Sequence, residues 1–163
     1  MKLKLLLPIF LLSISKVSLA EPVIDQVYLY LPDFAMKERI GSQEEFIGYI
    51  KSARDRLIVE AKSIDKEPYS SLGVIVTVRS GNESKVWFKQ LSGTISNTDL
   101  EKIAQALESM PAPNVKKGIV PFSFALKLGG ATEQFETLPM DDRWFKNQET
   151  QAEITELIGK AWK

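Results

Sequence analysis

The sequence predicts an α+β fold: an antiparallel three-stranded core sheet in the order 2-1-3, packed against helices, with an extra N-terminal strand and a C-terminal helix. Three observations predict it. Gly73–Ser80 is β-branched through Val74-Ile75-Val76-Thr77-Val78 and is followed, after a tight turn, by a second β-prone run at Lys85–Lys89. Ile119–Leu128 alternates apolar and other residues with period two. Between these strands, and before them, lie two segments with the three-and-four spacing of amphipathic helices.

Taken in order, Val27-Tyr28-Leu29-Tyr30-Leu31 is a short apolar strand ended by Pro32, and Asp33–Gly41 is a connection with at most a helical turn. Ser42 with Glu45 three residues on forms a capping box, and Phe46, Ile50, Ala53, Leu57 and Ala61 then lay one apolar stripe along a long helix. Glu67-Pro68 ends anything helical, because a residue before proline avoids the helical region. Ser80-Gly81-Asn82 tolerates positive φ and turns the hairpin. Asn82-Glu83-Ser84 has the pattern of a glycosylation sequon, but a hairpin tip accounts for Asn82 without it.

Thr98 with Glu101 reads as a second capping box, opening a helix whose buried stripe is Leu100, Ile103, Ala104 and Leu107 and whose exit is Pro111-Ala112-Pro113. In the third core strand Pro121 lacks a ladder donor, which argues for a sheet edge. A split β-α-β crossover then sets this strand beside the first core strand. In the tail, Asn147 is placed to cap a helix carrying Ile154, Leu157, Ile158, Ala161 and Trp162 on one face. Its aromatics, Trp144, Phe145 and Trp162, fit a helix packed over the sheet better than an exposed patch.

The first 20 residues read as a secretory leader: Lys2 and Lys4, an apolar stretch Leu5–Ile14, and Ser18-Leu19-Ala20 before Glu21. The stretch is shorter than the roughly 20 apolar residues that cross a bilayer. The expected layout is therefore 1–20 signal peptide, 21–41 strand and connection, 42–130 α+β core and 131–163 C-terminal extension, in an exported protein. Removing the leader takes Lys2, Lys4 and Lys16 from the 21 basic residues, leaving 18 against 21 acidic ones. A slightly acidic chain argues against nucleic acid, and no polybasic segment or further spanning run points to membrane insertion after the leader is removed.

The chain has no histidine and no cysteine. That removes the Ser-His-Asp triad, thiol nucleophiles, ordinary zinc sites and disulfides. Asp141-Asp142 fit a solvated turn or favourable charges near a helix start, and Ser63 with Lys66 lacks the context of a catalytic pair. Phosphate-loop and dinucleotide fingerprints are missing too, so no cofactor is expected, and an enzyme would have to rely on carboxylates, a Ser-Lys pair or tyrosine.

With these elements in place the segment Ser42–Leu128 resembles the C-terminal domains of TolA and TonB, periplasmic ends of Gram-negative envelope energy-transducing proteins, TolA the more closely. The likeness rests on Phe46-Ile47-Gly48-Tyr49-Ile50-Lys51-Ser52-Ala53, the hairpin Gly73–Leu91, the helix Thr98–Met110, Pro111-Ala112-Pro113 and the strand Ile119–Leu128. The resemblance implies a non-enzymatic module, located in the periplasm, that recruits an envelope or periplasmic protein by adding a strand to an exposed sheet edge. Carried onto this chain, that edge is Ile119–Leu128, with Ser123, Phe124, Ala125 and Leu126 within it. The chain departs from the family in its cleavable leader, its missing spacer and its lack of the disulfide common in TolA. The alternative function is a periplasmic inhibitor or immunity-type protein acting through a C-terminal aromatic patch that includes Trp162.

Overall fold

The computed structural model describes residues 20–64, 69–145 and 153–162. The leader before Ala20, the Glu67-Pro68 stop, Lys66 and the cap at Asn147 lie outside the described residues. The elements run β1 (Val23–Leu29), α1 (Asp33–Arg39), α2 (Gln43–Ser63), β2 (Ser70–Arg79), β3 (Glu83–Ser92), α3 (Asn97–Glu108), β4 (Ile119–Leu128) and α4 (Ile154–Ala161), with one 3₁₀ turn at Asp142–Phe145 before α4.

The sheet is antiparallel and four-stranded, in the order β1-β4-β2-β3. The expected 2-1-3 arrangement survives as its β3-β2-β4 part, but the N-terminal strand is not an appendage. It pairs along β4 from Val23 opposite Lys127 to Leu29 opposite Phe122, with a bulge between Ile24 and Gln26. The last strand is therefore interior, which corrects its placement at an edge.

Pro121 tolerates this position for a local reason. A strand residue points its N–H and C=O to the same side, and the Pro121 carbonyl accepts from the Tyr30 amide at 3.4 Å, on the β1 side. The missing donor thus faces β1 just past its last residue, and the ladder to β2 loses nothing.

Each face of the sheet carries its own layer. On the first, α2 and α3 close over Val74, Val76, Val78, Phe122, Phe124 and Leu126, all without solvent exposure. Phe46 and Tyr49 from α2 meet the Phe122 ring edge-on, at 5.7 and 6.1 Å between centroids. On the second, Tyr30, Ile75, Trp87, Trp144, Leu157 and Ile158 form a smaller cluster beneath the C-terminal segment. The helix packed over the sheet is thus observed, with Trp144 edge-on to Trp87 at 5.8 Å.

Local signals explain the ends. Ser42 caps α2 as expected, its hydroxyl accepting from the Glu45 amide at 3.3 Å. The α3 cap lies two residues earlier than Thr98. Ser96 accepts from the Asp99 amide at 3.1 Å and donates to the Asp99 carboxylate at 2.7 Å. Gly81 and Asn82 take φ of 92° and 56° at the hairpin tip, where the turn needs the left-handed region. Residues 33–39 form two turns of helix rather than one, because Met36 and Ile40 reach the first core.

Candidate interaction edge

Two strands border the sheet, and they differ in what guards them. On β3 the outward Val86 amide donates to the Glu108 carboxylate of α3 at 2.7 Å. The outward Phe88 amide lies toward the Asp141 carboxylate and helps favour its charge. Lys85 and Lys89 add charge along this rim, reaching the Trp162 carbonyl and Asp142. Glu108 and Asp141 thus stand at outward amides a guest strand would need, and the two lysines set charge beside them.

On β1 the pairing fixes which groups face outward. Since Tyr30 donates inward to Pro121, Val27 and Leu29, at odd register from it, point their amides and carbonyls away from β4. No other backbone group among the described residues bonds them. Their side chains share the helix-covered face with Phe124 and Phe122, yet Val27 is 44% and Leu29 51% exposed. The first core therefore runs out at this rim with apolar surface still open, while the β1 segment is held by Tyr30 behind it. The Tyr30 hydroxyl contacts the Pro139 carbonyl and Ser123 Oγ, and burial pushes its ionisation upward, despite the Ser123 bond.

The wall of this rim is α2. Ile47, Lys51, Arg54, Ile58 and Lys62 recur at three- and four-residue intervals and so form one stripe beside the buried one. Lys62 reaches Glu21 at 3.0 Å, which lays the stripe over β1 and runs α2 antiparallel to it. Ile58 packs partly against the core, and Ile47 is 43% exposed.

The residues expected to form the interaction edge are placed otherwise. Ser123, Phe124, Ala125 and Leu126 are all buried, with β1 bonded on one side and β2 on the other. Phe124 and Leu126 belong to the first core; Ser123 and Ala125 face the second layer. No guest strand can pair there while β1 is in place. Trp162 is half-buried, with the Arg79 guanidinium 4.5 Å from its ring centroid, and Trp144 is buried. Phe145 alone of the tail aromatics is well exposed, so the three do not make a patch. From the residues alone, Val27 and Leu29 have no role beyond a short apolar strand. A short apolar strand must pair somewhere, but no residue pattern shows which of its sides stays open.

The carboxylates are structural. Asp141 is buried and accepts from Arg143 through the backbone amide and Nε at 2.8 Å and the terminal nitrogen at 2.6 Å. Burial opposes its charge, but the Arg143 bonds prevail and hold its carboxyl below the usual range. Asp141 is thus an ion-paired clamp rather than part of a solvated turn, whereas Asp142 is exposed against Lys89 at 2.6 Å. Ser63 donates to the Glu60 carbonyl at 2.7 Å. Among the described residues no group of three or more carboxylates could hold a metal ion, and no helix is long and apolar enough to cross a membrane.

A cleft of about 620 Å³ lies between α1 and the start of α4, lined by Leu31, Phe34, Arg39, Lys117 and Glu153 among others. Its cations are engaged: Lys117 with Glu38 at 3.1 Å and Arg39 with the Ile119 carbonyl at 2.8 Å. Among the described residues nothing in it pairs a nucleophile with a base. The chain matches no protein-family model, no curated protein and no solved structure.

Proposed function

We propose that this protein is a non-enzymatic interaction module of the cell envelope, working in the periplasm, which binds an extended segment of a partner protein by strand addition at the outer rim of β1. The observation that carries the reading is the pairing of unbonded outward backbone groups at Val27 and Leu29 with half-open apolar side chains on the core face. Main-chain bonds would supply affinity, and closing the open end of the first core would add apolar burial. The guarded β3 rim leaves β1 as the edge available for this. The leader at residues 1–20 supports export, and the resemblance to TolA and TonB supports strand addition as the mode, moved from β4 to β1.

The test is Val27→Pro. It deletes one outward donor and leaves the inward ladder to β4 intact, a position where edge strands accept proline. Tagged mature protein should retain a partner from envelope extract, and the variant should lose it while its melting temperature stays within a few degrees. Amide exchange should slow at Val27 and Leu29 when partner binds. Full retention of the partner by a folded variant overturns the proposal.

A further inference from the structure

Resting on that reading, we infer that the partner segment carries the pattern apolar-x-acidic-x-apolar, its three named side chains facing α2. The wall stripe is apolar at Ile47 and Ile58 and basic between them at Lys51 and Arg54. Both cations are exposed, and neither has an ion-pair partner among the described residues. Ile47 and Ile58 stand eleven residues apart, about 16 Å along the helix, and three guest side chains on one face of a strand rising roughly 3.3 Å per residue span four steps, about 13 Å, between them. Guest side chains on one face recur every second residue, so the two at the ends meet the apolar ends of this stripe near Ile47 and Ile58. The one between them lies under Lys51 and Arg54. A carboxylate there meets two otherwise unpaired cations.

The same charges argue against a second copy of this chain as the occupant. Two β1 rims related by a twofold axis would bring both α2 walls to the same side of a joined sheet, turning Lys51 and Arg54 toward their own counterparts. Like charges facing each other across a rim oppose that pairing.

Three blocked peptides test the inference: Thr-Val-Thr-Glu-Thr-Val-Thr and its forms with Gln or Lys at the centre. Each is titrated to millimolar concentration into the mature protein while the backbone amides are followed by NMR. The Glu peptide should shift Val27 and Leu29 and bind about tenfold more tightly than the Lys peptide, a preference that shrinks with added salt. The double variant Lys51→Glu with Arg54→Glu should invert the order. Equal affinity for all three peptides, with the β1 amides shifted, overturns the acidic pattern and leaves strand addition standing. Absence of any shift at Val27 and Leu29 with every peptide overturns both. Self-association of the free protein through the same amides would assign the rim to a second copy and overturn the inference as well.

Discussion

At Gly73 the central strand and the segment crossing the second face approach so closely that no side chain fits between them. A Cβ there would lie 2.5 Å from Pro139 Cβ and 3.3 Å from the Phe135 ring. Gly73→Ala is expected to cost about 2 kcal/mol through overpacking, read as a lower urea midpoint at unchanged slope. Gly48 is its opposite: on the solvent side of α2, a Cβ would meet nothing within 4 Å. Gly48→Ala should therefore stabilise by about 1 kcal/mol, the helix propensity difference alone. Asp141 sets a pH signature at the same scale. Its folded carboxyl lies below the unfolded value, so the stabilisation is present above pH ~4 and is lost as pH falls through the folded value. Asp141→Asn should melt well below the parent at pH 7, and the gap should narrow toward pH 3; a constant gap would mean that packing, not charge, holds Arg143.

Among the elements, α3 gives the plainest test of how an end is set. Ser96→Ala removes the acceptor for the Asp99 amide and should cost about 1 kcal/mol, whereas Thr98→Ala should cost a few tenths. The displaced cap shows what was legible in the chain. Both Ser96-x-x-Asp99 and Thr98-x-x-Glu101 satisfy the box pattern, and only the position of buried Ile103 and Leu107 relative to the sheet selects the former. Long periodic segments were readable because burial enforces the period: α2 and its stripe, the hairpin, and β4 at Ile119–Leu128 all stand as expected. What periodicity could not report was the neighbour. β4 alternates Val120, Phe122, Phe124, Leu126 and Leu128 with smaller or polar residues, which reads as one buried face. The second face is buried too, beneath a tail too irregular to reveal its own packing. Pro121 pointed to an edge, and the rule behind it held for a single peptide group rather than for the strand. The candidate rim at Val27 and Leu29 was hidden for the same reason, since an edge is defined by what is missing beside it.

Across the whole molecule the two layers share one sheet, and that has a consequence for how it unfolds. Val74 and Val76 serve the α2–α3 side while Ile75 between them serves the C-terminal side. Neither cluster can lose its sheet wall without removing the wall of the other, so the described fold should melt as one cooperative unit. Leu57→Ala in the first layer should cost 2–5 kcal/mol and Trp144→Ala in the second 3–5 kcal/mol, on the usual scale for fully buried side chains. Each should lower a single transition rather than split it, with far-ultraviolet and tryptophan signals coinciding. The sites lie on opposite sides of the sheet and share no partner, so their effects should add within about 0.5 kcal/mol in a stabilised background such as Gly48→Ala. A Trp144→Ala protein that unfolds in two steps, tail first, would show instead that the second layer is a separately stable cover, and the sheet beneath it would have to stand on α2 and α3 alone.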